Sequence, residues 1–154
     1  MKREARLILE DGTVFCGWSF GAERNVSGEV VFNTSMTGYQ EVLSDPSYAG
    51  QIVAFTYPQV GNYGICEDNF QASRLHLRGM VVRDMCHTPS SWRSTMSLPD
   101  LLRSREVVAK EGVDTRALTL RIRGGGAMRA AISTTDLDPQ SLVARVRQSP
   151  SISD

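Results

Sequence analysis

The dipeptide Asp11-Gly12 most constrains this chain, because it stands between a short apolar run and a run that alternates strictly. Asp-Gly favours the tight turns whose backbone twist matches two antiparallel strands. Arg6 to Glu10 therefore reads as one strand and Val14 to Phe20 as its returning partner. In the second run Val14, Cys16, Trp18 and Phe20 share one face, and Phe15, Gly17 and Ser19 share the other. Period two across seven residues predicts a half-buried strand with one wet or loosely covered face, and Cys16 is expected on the buried face as a small hydrophobe.

Further strands are expected over Glu29–Asn33, Gln51–Tyr57, Gly79–Arg83 and Ala127–Thr134. Between the third and fourth strands Tyr39, Val42 and Leu43 fall at helical spacing until Asp45-Pro46 ends the turn. Gln59 to Phe70 reads as an irregular loop. Ser97 is placed to cap a helix opening Leu98-Pro99-Asp100, and Asp114 to cap Thr115–Arg123, which Gly124-Gly125-Gly126 stops. Asp138-Pro139 opens a last helix with Leu142, Val143 and Val146 on one face. Strands first and helices later give an α+β fold, a single domain with a mostly antiparallel or mixed sheet and two to four short helices.

The chain has 154 residues, of which 41% are hydrophobic and 22% charged, enough apolar material for one core. Seventeen basic residues balance seventeen acidic ones, so no nucleic-acid partner is expected. The charge is polarised: residues 1–77 hold five basic and nine acidic side chains, and residues 78–154 hold twelve and eight. A neutral chain is expected to dock through apolar and hydrogen-bonded contacts. No apolar run approaches the ~20 residues needed to cross a bilayer, and Leu7-Ile8-Leu9 is too short for a signal peptide. The expected location is the cytoplasm, with no membrane partner.

Cys16, Cys66 and Cys86 are odd in number and widely spaced, and with His76 and His87 they form no metal-ligand spacing. No metal is expected. Cys66 lies beside Glu67 and Asp68, whose charge disfavours a thiolate, and Cys86-His87 are sequence neighbours whose side chains diverge. The triple glycine follows a helix, whereas phosphate cradles precede one. No catalytic residue is expected in this chain.

Three segments are more specific: GEVVFNTSMTGYQEVLSDPSYAGQIV (Gly28 to Val53), TYPQVGNYG (Thr56 to Gly64) and GVDTRALT (Gly112 to Thr119). With LEDGTVF and GMVVRD, they resemble the N-terminal domain of the small, glutamine-hydrolysing subunit of carbamoyl-phosphate synthase. The resemblance implies a swivelling β/β/α-like fold over residues 1–147, with 148–154 a polar tail or linker. It implies that a class I glutamine amidotransferase domain, carrying a Cys-His-Glu triad, is absent from this chain. Its expected partners are that domain, the large subunit, which uses ATP and magnesium, and L-glutamine. The implied role is to hold the glutamine site over an ammonia tunnel, so that carbamoyl phosphate is made for arginine and pyrimidine synthesis. The alternative is a stand-alone, non-catalytic interaction module that kept the docking surface; an independent thiol enzyme using Cys66 or Cys86 is a third reading.

One residue carries over as a ligand contact. Ser47 matches the family serine whose hydroxyl contacts glutamine bound in the neighbouring domain. From its residues alone, Asp45-Pro46-Ser47 is a turn whose hydroxyl could equally bond its own backbone. Asn33, Thr34, Thr37, Gly38 and Tyr39 match a second family motif and are read as scaffold around that surface. Asp114-Thr115-Arg116 is read as a cap with an arginine available for an ion pair. Lys110 and Glu111 intrude where the family has an apolar strand, which puts pairing at that strand's end in doubt.

Overall fold

The computed structural model describes residues 3–33, 43, 45–56, 75, 77–83, 98–123 and 128–148. Their architecture is a closed barrel of seven strands in the order β1-β2-β6-β5-β4-β3-β7. The strands are β1 (Arg3–Leu9), β2 (Val14–Ser19), β3 (Asn25–Asn33), β4 (Gln51–Phe55), β5 (Gly79–Val81), β6 (Val108–Glu111) and β7 (Met128–Ser133). The helices are α1 (Leu98–Ser104), α2 (Thr115–Arg123) and α3 (Pro139–Gln148). This is the expected α+β domain with a mixed sheet. β3, β4, β5 and β6 run parallel to one another, while β1, β2 and β7 make every antiparallel pairing, among themselves and with β3 and β6.

The first hairpin forms where Asp11-Gly12 places it. Gly12 takes φ +92°, a region nearly closed to other residues, and Asp11 Oδ1 accepts from the Thr13 N–H at 2.9 Å. The facing of β2 is the reverse of the expectation. Phe15 packs into the barrel, Cys16 is exposed, and Trp18 is 43% exposed. The register explains this: Arg6 and Glu4, outward residues of β1, lie opposite Cys16 and Trp18, whereas the buried Leu7 and Ala5 lie opposite Phe15 and Gly17.

Every strand sends side chains inward. Leu7, Leu9, Phe15, Val30, Ile52, Ala54, Val81, Val108, Ala130 and Ile132 form one cluster, which Val113, Leu118 and Ile122 close from the α2 side. Leu118 and Ile122 are four residues apart and share one helix face. Asp114 caps that helix, its Oδ1 accepting from the Ala117 N–H at 3.0 Å. Among the described residues Arg116 makes no ion pair. Outside the barrel, Leu101 and Leu102 of α1 cover Val53, Phe55, Met80 and Ala109, while Leu142 and Val146 of α3 cover Ile8 and Ala131.

The doubt about the strand before Gly112 is removed. Lys110 and Glu111 pair with Ser19 and Trp18 on one side, and Lys110 with Val81 on the other. The polar side chain is accommodated by omitting another: Lys110 points inward like Val108, towards Gly17, where a Cβ would lie 2.3 Å from Lys110 Nζ and 2.2 Å from the Glu111 carbonyl oxygen. Lys110 is fully buried, and its Nζ has no hydrogen-bond partner among the described residues. Burial, only partly offset by the nearby Cys16 and Glu4, lowers its pKa to about 8.

A stability prediction follows from this amine. In the folded chain it releases its proton near pH 8, and in the unfolded chain near 10.5. Between those values the unfolded state holds more protons, so the cost of burying the charge fades as pH rises. Lys110→Met is expected to stabilise the chain at pH 7 by up to about 3 kcal/mol, with the advantage shrinking towards pH 10. Urea unfolding of both proteins at pH 7, 9 and 10 measures it; a difference that does not narrow would mean that burial leaves the pKa of the amine unshifted.

Candidate functional site

The candidate site is built on one tight turn. Pro46–Tyr48 is a single 3-10 turn entered through Asp45, whose extended backbone (φ −75°, ψ 118°) suits a residue preceding proline. Asp45 Oδ1 accepts from the Ser47 N–H at 2.9 Å. The Asp45 carbonyl accepts from the Tyr48 N–H at 3.2 Å, and the Pro46 carbonyl from the Ala49 N–H at 3.1 Å. Gly50 then reverses the chain at φ +77° and delivers it into β4.

Ser47 is exposed. Its backbone is held by the Asp45 carboxylate, and its hydroxyl makes no hydrogen bond among the described residues. The two tasks that the sequence left open for one serine are thus divided: Asp45 fixes the turn, and the Ser47 hydroxyl faces solvent. Tyr48 anchors the other side. Its ring packs on the outer core that contains Phe20, Leu43 and Phe55. Its hydroxyl accepts from Asn33 Nδ2 at 3.3 Å.

Asn33 is itself fixed at the end of β3. Its carbonyl oxygen accepts from the Thr56 N–H at 3.2 Å and from Thr56 Oγ1 at 3.4 Å, just past the end of β4. The turn bearing Ser47 is therefore tied to the ends of two adjacent parallel strands. Thr34, Thr37, Gly38 and Tyr39 lie outside the described residues, as do Cys66, Cys86, His76 and His87. Sequence reasoning missed Tyr48 as the link between Asn33 and the turn; the signal available was an aromatic residue with a polar tip directly after Ser47.

The described part of the site can present a hydroxyl and orient it. Among the described residues no three His, Cys, Asp or Glu side chains converge as metal ligands. No helix of the described residues is long and apolar enough to cross a membrane.

The described residues form a closed mixed barrel that carries an exposed serine turn. The comparisons give the family: residues 7–132 match "Carbamoyl-phosphate synthase small chain, CPSase domain", and the chain belongs to that family. It is 58% identical over 152 residues to the carbamoyl phosphate synthase small chain of Thermotoga maritima, covering 99% of this chain and 39% of that protein. Its identity to the small chain of Syntrophotalea carbinolica is 54% over 149 residues, with 97% and 40% covered. The chain thus spans about two fifths of the length of these relatives. Among solved structures, it is similar in fold to an aminopeptidase from an Aneurinibacillus strain, with a TM-score of 0.50 and 17% identity over 86% of this chain and 32% of that one.

The cap generates a local prediction. Asp45→Ala removes the bond to the Ser47 N–H and is expected to cost about 1 kcal/mol. A thermal melt should show the loss, and hydrogen exchange at the Ser47 amide should quicken while the β4 amides stay protected. Unchanged exchange at Ser47 would mean that the backbone bonds hold the turn unaided.

Proposed function

We propose that this chain is the scaffolding domain of the carbamoyl-phosphate synthase small chain and that Ser47 donates a hydrogen bond to glutamine held in a neighbouring amidotransferase domain. On this reading the domain docks that amidotransferase unit on the large chain, where ATP and magnesium act. Ammonia released from glutamine then passes to carbamoyl phosphate, a precursor of arginine and pyrimidines. The observation that carries the reading is the exposed Ser47 hydroxyl on a turn fixed by Asp45, in a chain of this family. Such a hydroxyl adds recognition at low entropic cost, because its backbone is already ordered. The covalent step belongs to the amidotransferase unit, and this chain alone is expected to release no ammonia from glutamine.

Removing one neutral hydrogen bond costs about 0.5–1.5 kcal/mol. In the full-length small chain assembled with its large chain, Ser47→Ala should lower glutamine-dependent kcat/KM roughly 2- to 12-fold. Synthesis driven by free ammonia bypasses the glutamine site and should stay unchanged. Equal losses with both nitrogen donors would assign Ser47 to structural support, and no loss with either would remove it from the site.

A further inference from the structure

One stretch of the barrel is left open. β3 pairs with β7 from Asn25 to Val30, but β4 joins its other side only from Glu29 onwards. Among the described strands, the side of Asn25–Ser27 turned away from β7 has no strand partner. It forms the floor of a cleft of about 720 Å³, within the range of ligand-binding sites. Leu77 and Val107 stand in the far wall, and Ala49 and Gly50, which follow the Ser47 turn, form one end.

The direction of the backbone groups is fixed by the ladder. In an antiparallel pair, successive residues point their N–H and C=O alternately towards and away from the partner. The Ser27 carbonyl accepts from Arg78 Nη1 at 3.0 Å, so Ser27 faces the cleft, and Asn25 two residues earlier faces it too. Asn25 is held in place by its side chain, whose Oδ1 accepts from the Ser133 hydroxyl and, at 2.7 Å, from Thr135 Oγ1. The cleft thus offers the Asn25 peptide groups and, two residues on, the Ser27 N–H, while Arg78 holds the Ser27 carbonyl.

Its charge is one-sided. Arg24, Arg78 and Arg105 line it against a single acid, Glu106. Neither Arg24 nor Arg78 has an acidic partner among the described residues. A chain of zero formal charge therefore carries a local basic excess beside an open strand edge.

We propose that this cleft docks an extended, acidic polypeptide segment of a partner protein, which adds as a strand along Asn25–Ser27 and places its carboxylates on Arg24 and Arg78. The open edge selects a backbone with complementary amides, as in other cases of strand addition, and the guanidinium forks select carboxylates. A compact anion such as phosphate meets the second requirement but not the first. The proposal goes beyond the glutamine reading and does not rest on it.

The test uses the whole 154-residue chain and a fluorescent, end-blocked peptide of about eight alternating Glu and Val residues. Anisotropy at low salt should show binding that weakens steeply as salt is raised to about 0.5 M. The same peptide with Lys for Glu should bind at least roughly tenfold more weakly. Arg24→Glu with Arg78→Glu should reduce binding of the acidic peptide by a similar factor, with circular dichroism unchanged. Ser27→Pro should also weaken it, because it deletes an amide that faces the cleft while leaving the β7 ladder intact. Should either variant fail to fold, amide shifts of the wild-type chain decide: the acidic peptide must move the Asn25 and Ser27 signals. Equal binding of the Glu and Lys peptides, unimpaired binding by the folded charge-reversed variant, shifts confined to another face, or equally effective displacement by millimolar inorganic phosphate would each overturn the proposal.

Discussion

The architecture depends on β6, a strand of four residues that joins the parallel and antiparallel halves of the barrel. It reaches β5 on one side and β2 on the other, and the second contact is made at very short range. Gly17 allows the approach, since a Cβ there would enter the Glu111 carbonyl. A barrel closed in this way leaves few free edges, which protects most strands from pairing with other chains. The same closure forces a lysine into the lumen. The chain thus accepts an electrostatic penalty at its seam, and the apolar lining contributed by all seven strands outweighs it.

What the sequence disclosed was local chemistry. Asp11-Gly12 announced its hairpin because the required φ is specific to a few residues. Asp114 and Asp138 marked helix starts because a carboxylate satisfies N–H groups that helices leave open. Asp45-Pro46-Ser47 declared a turn for similar reasons. In β2 the alternation separates two faces but does not say which one turns into the barrel; the register with β1 decides it. Gly17 faces inward to make room for Lys110, and Trp18 lies on a stretch of wall where it stays partly exposed. β6 was hardest to read, since Lys110 and Glu111 break an apolar pattern and only pairing with distant strands makes them a strand. The connection from Asn33 through Tyr48 to the serine turn was equally hidden, because its partners are fifteen residues apart.

The likeness in fold to part of an aminopeptidase, at 17% identity, shows how little the barrel alone says about activity. What distinguishes this chain is the furniture at one end of its parallel strands. There β3 and β4 finish together, Thr56 bonds the Asn33 carbonyl, and Asn33 Nδ2 reaches the Tyr48 hydroxyl of the serine turn that leads into the start of β4. The turn itself is ordered by three hydrogen bonds, from the Ser47, Tyr48 and Ala49 N–H groups.

The position of β7 has a consequence for biosynthesis. This strand lies between β1 and β3, so the first residues made must wait for some of the last before either gains that neighbour. The bond from Arg3 to the Thr134 carbonyl spans 131 residues of sequence. Loop closure on that scale must precede its reward, which slows folding. On the ribosome the opening hairpin and the parallel strands emerge with their inner surfaces uncovered, and synthesis at about 5–20 residues per second keeps them so for several seconds. The cylinder can therefore close only after residue 133 has cleared the exit tunnel.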